Sequence, residues 1–387
     1  MLKVLTFNGV YIPGYKAGGP IRSLANLVSH LNDDVKFYIL TRDRDAGDLE
    51  PYKNVEFNKW VKLTHELVFY QKEKEMSIFT LRKIINSNNY DGVLLNGILS
   101  EYTIRYLLLR RLKLIKSIPT VIMPRGDLAM GALSLKASKK SLFLTIAKQF
   151  GLYDGLTWLG TSESEKIDAL RAFGNVDIVT IPNLPNNNVE HLDNSQNEKV
   201  KGKLEVVYIS RITKVKNLLL ALEALNNVKG VVNFNIYGPI SDNEYWDTCK
   251  KFIAKMKSNI IVKYHGSLPH DKVDLVFRKS EVLLLPTLGE NYGHVIVEAL
   301  SSATPVIISD QTPWRDLKNK NAGWDIPLKN KDDYTTALQT LVDMDEKEYR
   351  NFRNATKEYI TEVQKVSEIK EAYIQLFKRI YTKDRLS

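Results

Sequence analysis

Glu281-Val282-Leu283-Leu284-Leu285-Pro286, followed by Gly289-Glu290-Asn291-Tyr292-Gly293-His294-Val295-Ile296-Val297-Glu298-Ala299-Leu300, is the passage from which the rest of the chain is read. The first run is short, apolar and closed by proline, which predicts a buried strand, while the apolar positions from Val295 to Leu300 predict a helix. Glu290 then stands at the strand's exit, and Glu298 lies up to about 12 Å further along at the usual helical rise. The two carboxylates are spaced as anchors of one extended ligand. Between them, the amides of Tyr292 and Gly293 would lie at a helix N-terminus, where free N–H groups and the helix dipole favour an anion. The same residues also fit a plainer arrangement, with Glu290 capping the helix and Glu298 solvated, so other segments must decide.

The surrounding pattern repeats this strand-to-helix passage. Short β-like runs at Lys3 to Asn8, Lys36 to Thr41, Gly92 to Asn96, Thr120 to Met123 and Val179 to Pro182 alternate with helical patterns. A second set follows at Leu204 to Ser210, Asn233 to Tyr237, Ile260 to Tyr264, Glu281 to Pro286 and Pro305 to Ser309. Strands separated by helix-length segments predict parallel sheets with helices on both faces. The polar stretch from Asn183 to Lys203 reads as a connection between two α/β halves, and 387 residues suffice for two cores. Two such halves facing one another would form a cleft at the carboxyl ends of their strands. The terminal stretch from Tyr349 to Leu386 reads as helical.

Composition narrows the class of protein. Hydrophobic residues make up 44% and charged residues 26%, near the globular average, which argues against a disordered or fibrous chain. No apolar stretch reaches the length of a spanning helix, and Met1 to Phe7 runs into a polar glycine-rich loop and not a signal cleavage site, so a cytoplasmic location is expected. Cys249 is the single cysteine, which leaves no intramolecular disulfide. The net charge of +10 is concentrated: residues 101–150 carry ten Lys or Arg against Glu101 and Asp127. Within them, Tyr106 to Ile115 interleaves leucines with Arg110, Arg111 and Lys113, as a basic amphipathic helix on an anionic membrane would, although a helix burying its leucines in the core fits equally.

Two further constellations lie at strand exits. Pro13-Gly14-Tyr15-Lys16-Ala17-Gly18-Gly19-Pro20 follows the first strand and lacks the dinucleotide fingerprint, but its glycines let backbone amides approach a diphosphate. Ser210-Arg211-Ile212-Thr213-Lys214-Val215-Lys216-Asn217 places Arg211 and Lys216 where they could neutralise an anionic leaving group without a metal. Asp43-Arg44-Asp45 has the spacing with which other sugar-transfer enzymes hold a divalent cation, but reads here as solvated loop charge. The histidines His30, His65, His191, His265, His270 and His294 show no ligand spacing, and neither a metal nor a cofactor is expected.

Taken together, the Gly18-Gly19 loop, Arg211 with Lys216, and Glu290 with Glu298 resemble the family-4 glycosyltransferases of the GT-B fold. Further matches are Gly160-Thr161-Ser162-Glu163-Ser164-Glu165, Ile181-Pro182-Asn183, Tyr237-Gly238-Pro239 and Thr304-Pro305-Val306. The family's phosphate clamp keeps both cations here and loses both flanking glycines, which become Ser210 and Asn217. Where many members carry a histidine, this chain reads Met123-Pro124-Arg125-Gly126-Asp127-Leu128, similar to polysaccharide-assembly members, as is Thr312-Pro313-Trp314.

The resemblance implies α/β architecture with two facing Rossmann-like domains and a deep interdomain cleft. Its boundaries would be residues 1–185 for the acceptor, 186–365 for the nucleotide sugar, and 366–387 for a helix crossing back to the first domain. It implies a UDP- or GDP-sugar donor, retention of anomeric configuration and a glycan or lipid-linked glycan acceptor in bacterial surface polysaccharide synthesis. Glu298 would hold ribose hydroxyls and Glu290, with Asn291, Tyr292 and Gly293 beside it, would orient the sugar. Backbone around Gly238 and from His265 to Leu268 would flank the base, while Arg125 would contact acceptor or donor and Asp127 would orient a hydroxyl. Two other readings remain: an NAD-dependent oxidoreductase, against which the missing fingerprint counts, and a basic nucleic-acid-binding protein, against which the separation of aromatic from basic residues counts.

Overall fold

The computed structural model describes residues 1–75, 77–129, 137–186 and 198–382. The chain divides into two compact units, residues 1–187 with 366–387, and residues 188–365. Lys136, the Asn187-Asn188 part of the polar connection and the last basic residues of the terminal stretch lie outside the described residues.

The first unit is built on eight strands: β1 (Leu2–Phe7), β2 (Val35–Arg42), β3 (Trp60–Lys62), β4 (Leu67–Gln71), β5 (Gly92–Asn96), β6 (Thr120–Met123), β7 (Thr157–Gly160) and β8 (Ile178–Thr180). Their order is β3-β4-β2-β1-β5-β6-β7-β8, parallel throughout except for the antiparallel β3/β4 pair. Its helices are α1 (Gly19–Leu31), α2 (Ile78–Asn86), α3 (Glu101–Arg111), α4 (Ala137–Gln149) and α5 (Glu163–Phe173). The second unit orders β11-β10-β9-β12-β13-β14, all parallel, from β9 (Lys203–Ile209), β10 (Val231–Tyr237), β11 (Ile260–Tyr264), β12 (Val282–Leu285), β13 (Val306–Ser309) and β14 (Gly323–Ile326). Its helices are α6 (Leu218–Leu225), α7 (Asn243–Ile253), α8 (Val273–Arg278), α9 (His294–Ser301), α10 (Lys331–Asp343) and α11 (Glu346–Val363).

Buried on both faces, the central strands β5, β6, β12 and β13 lose the alternation of a half-exposed strand and read as continuous apolar runs. That is why their bounds were legible. Strands β3, β4, β7 and β14 were not anticipated, although Leu67-Val68-Phe69-Tyr70 and the buried Trp158 carry strand composition.

Two helical expectations change. The predicted basic helix to Ile115 stops at Arg111, because Lys113 turns to a φ of 55°. Tyr106, Leu107 and Leu109 are core residues, so α3 largely buries its apolar side chains, while Leu108, Leu112 and Leu114 are exposed. The terminal helical stretch is two helices broken at Lys365, α11 and then α12 (Val366–Tyr381). α12 completes the first unit's core with Tyr373, Phe377 and Tyr381, the last donating a 3.0 Å hydrogen bond to the Val93 carbonyl.

Candidate functional site

The second sheet follows the doubly wound order 3-2-1-4-5-6, and the first contains it in β4-β2-β1-β5-β6-β7, with β3 and β8 added at its edges; the reversal point of such an order opens a crevice at the carboxyl ends of the strands. In the second unit the reversal lies between β9 and β12. The loop after β9 turns through a short 3-10 segment, Lys214–Lys216, to Asn217, whose φ of 55° and ψ of 44° are left-handed. Asparagine tolerates that conformation, which otherwise favours glycine. Val215 offers its carbonyl to the Leu288 amide at 2.7 Å and to Thr287 Oγ1 at 3.1 Å, so the loops after β9 and β12 lie against each other.

That contact brings Lys216 to Glu290, 74 residues away in sequence, as an ion pair. Their side chains are 13% and 23% exposed, accessible enough to exchange partners with a ligand. Arg211, on the same loop, is exposed. Glu290 is not the helix cap: Gly293 takes that position with φ 75° and ψ 63° and has no side chain with which to cap α9. A Cβ on Gly293 would meet Ile296 at 2.8 Å and Glu290 at 3.1 Å. The positive end of a helix dipole favours an anion at such a start.

A third loop supports this one from behind. Glu290 donates its amide to the Gln311 carbonyl at 3.0 Å, and buried Trp314 donates its indole N–H to the Tyr292 carbonyl at 2.6 Å. Glu298, further along α9, places Oε1 3.7 Å from His270 Nδ1. At the ends of β10 and β11, the rings of Tyr237 and His265 stack at 4.5 Å and 13°, with His265 Nε2 2.8 Å from Asn235 Oδ1. Gly238 donates its amide to the Gly266 carbonyl at 2.7 Å. A Cβ there would stand 1.9 Å from the Ser210 carbonyl oxygen, so glycine alone lets these strand exits meet. Leu268 packs against the unit's core.

In the first unit, Gly18 is the N-cap of α1 and Gly19 its first residue. The loop before them is held by a residue not assigned to it from sequence. Asp45 Oδ2 accepts the Tyr15 amide at 2.8 Å and the Lys16 amide at 3.1 Å, and Lys16 Nζ pairs with Asp48 at 2.5 Å. This corrects the reading of Asp43-Arg44-Asp45 as solvated loop charge: Asp43 and Asp45 are 3% and 4% exposed. Their charges are matched by Arg44 at 2.8 Å and by backbone amides, because a buried carboxylate needs such partners. Among the described residues, no group of three or more His, Cys, Asp and Glu side chains could hold a metal ion.

Arg125, at a φ of 55°, donates from Nε and Nη2 to Asn96 Oδ1 at 3.0 and 2.9 Å and from Nη1 to Asn183 Oδ1 at 2.8 Å. Desolvation pulls its pKa down, against Tyr373 and Glu165, which favour the cation. Asp127 accepts the Leu99 amide at 3.2 Å. Burial raises its pKa above the usual carboxylate range, while the Leu99 and Ile98 amides draw it back. Both side chains are thus engaged with their own unit. Neither Asn96 nor Glu165, which accepts the Thr161 amide at 2.7 Å, was singled out as a partner for Arg125.

Two doubly wound α/β units, each built on a mainly parallel sheet, are the elements of the GT-B fold, and solved glycosyltransferases of that fold match the chain. Anabaena HepE, solved with UDP and glucose, superposes with a TM-score of 0.71 at 14% identity over 98% of this chain and 100% of that one. Residues 189–359 match the family model of the glycosyl transferases group 1. An uncharacterized 41.2 kDa protein in the cps region of Klebsiella pneumoniae is 23% identical over 48% of this chain and 49% of its own length. The D-inositol 3-phosphate glycosyltransferase of Corynebacterium kroppenstedtii is 29% identical over 25% of this chain and 22% of its own length. The matches thus span about half of the first relative and less of the second.

Proposed function

We propose that the protein transfers a sugar, with retention of configuration and without a catalytic metal, from a UDP- or GDP-sugar to a glycan or lipid-linked glycan in bacterial surface polysaccharide synthesis. The observation that carries this reading is the Lys216–Glu290 pair beside the glycine-capped start of α9, at the strand-order reversal within the segment that matches the group 1 model. The cps-region relative and the UDP held by Anabaena HepE support it.

As the glycosidic C–O bond breaks, negative charge collects on the departing diphosphate. Arg211, Lys216 and the first amides of α9 would stabilise that charge, and the Gly18-Gly19 turn is assigned to the same task. The sugar's anomeric carbon is attacked from the face the diphosphate leaves, and the leaving phosphate takes the acceptor's proton, so no protein nucleophile is required. Glu290 is assigned to orienting the sugar together with Lys216, Glu298 to the ribose, and Gly238 with His265 to Leu268 to the base. Arg125 and Asp127 are assigned to the acceptor region, the first through the Asn96–Asn183 network and the second through the loop at Ile98 and Leu99.

Contact with an anionic membrane belongs to the same reading. Leu142, Ile146 and Phe150, the outer two 63% and 66% exposed, recur every four residues along and just beyond α4, with exposed Lys148 beside them. No helix among the described residues is long and apolar enough to cross a membrane.

The test is a donor screen with purified protein: release of nucleoside diphosphate from UDP-, GDP- and ADP-sugars, with and without EDTA. Turnover of one donor that survives EDTA is expected. Thermal stabilisation by NAD or by oligonucleotides, with none from any sugar nucleotide, would refute the proposal. Salt-sensitive cosedimentation with anionic vesicles tests the membrane contact separately.

A further inference from the structure

The geometry points to Asp45 as a positioning residue that sets the path of the glycine-rich loop, residues 13–18, through protein hydrogen bonds in place of a bound cation. One carboxylate serves both sides of the junction. Oδ2 accepts the Tyr15 and Lys16 amides at 2.8 and 3.1 Å, and Oδ1 accepts the amide of Ala46 at 2.7 Å. The loop cannot supply these acceptors itself, because it is neither strand nor helix between β1 and α1.

Other contacts hold the same two loops together without passing through Asp45. Lys16 pairs with Asp48, the Tyr52 amide donates to the Asp43 carbonyl at 2.8 Å, and Tyr52 and Tyr70 donate their hydroxyls to the Tyr11 and Ile12 carbonyls at 3.3 and 2.5 Å. Gly14 fits only because it lacks a side chain: a Cβ would stand 2.3 Å from the Tyr52 hydroxyl. The fold of the unit is therefore secured independently, and Asp45 governs where the amides of residues 15 and 16 point, immediately before Gly18 and Gly19. Asp43 is matched by Arg44, which itself pairs with Glu73, so the acid-x-acid pair is consumed inside the protein.

The kinetic consequence rests on the donor reading above, whereas the clamp itself does not. Asp45→Ala should speed hydrogen exchange at Tyr15 and Lys16 while leaving β1 protected, and should lower kcat/KM for the donor about tenfold, the loss expected for charge-assisted bonds, with the acceptor KM unchanged. Asp45→Asn keeps one acceptor oxygen and should recover most of both losses. Added Mn²⁺ should leave the melting temperature of the wild type unchanged. Wild-type exchange in Asp45→Ala, or stabilisation by Mn²⁺ that Asp45→Ala abolishes, would overturn the clamp. A loosened loop with unaltered donor kinetics would overturn the positioning role. Absence of any sugar-nucleotide turnover in the wild type would remove the donor reading, and the exchange measurement would still decide the clamp.

Discussion

The two sheets share a central six-strand order, and the loops at their carboxyl ends use charge in opposite ways. In the second unit, Lys216 and Glu290 satisfy each other at a partly exposed position, and Arg211 faces solvent. In the first, Asp43, Asp45, Arg125 and Asp127 are engaged by amides, asparagine carbonyls or a neighbouring arginine. A cation paired to one carboxylate can turn to a phosphate at modest cost, whereas a group bonded to several fixed backbone atoms is part of the framework. Charges at a strand exit therefore divide into those available to a ligand and those that shape the loops around it.

The largest effect expected from this contrast is at Lys216. Lys216→Ala should lower kcat about a hundredfold, as loss of a group aimed at developing leaving-group charge does, with a smaller change in nucleoside diphosphate affinity. Single-turnover rates and calorimetric binding separate the two, and undiminished transfer would break the comparison. Next comes Glu298→Ala, which should raise the donor KM roughly tenfold with little change in kcat, the sign of binding made equally in ground and transition states. Trp314→Phe sharpens the contrast within the second unit. It keeps a ring but removes the donor to the Tyr292 carbonyl, costing about 1 kcal/mol of stability together with a several-fold fall in kcat/KM, read by denaturant melts and donor kinetics.

The smallest effect is expected at Asp127. Its raised pKa means that the folded chain holds a proton there more readily than the unfolded chain does. Its contribution to stability is therefore complete below the unfolded value of about 4 and is lost as pH rises through the raised folded value. Asp127→Asn keeps an acceptor for the Leu99 amide and removes the desolvated charge. At neutral pH it should melt no lower than wild type and keep most of its activity, with any advantage disappearing in acid. A collapse of turnover without loss of stability would move Asp127 from the framework to the chemistry.

How much of this was legible follows from the range of each interaction. Strands β5, β6 and β11 were readable to the residue. Leu112 to Ile115 looked helical by composition, and the left-handed turn at Lys113 stopped the helix first. Asp43 and Asp45 carried the spacing of a cation site, and nothing local revealed that Tyr15 and Lys16, some thirty residues earlier, had already claimed the Asp45 carboxylate.

From its residues alone, this chain settled its α/β character, its two halves and the strand exits at which its charged groups gather, because apolar periodicity and glycine placement act over a few neighbouring residues. Tertiary structure alone decided which charges remain available. Burial and pairing depend on loops brought together from distant parts of the chain, as Lys216 meets Glu290 and Asp45 meets Tyr15, and the energy of a charge is set by what surrounds it and not by its place in the sequence.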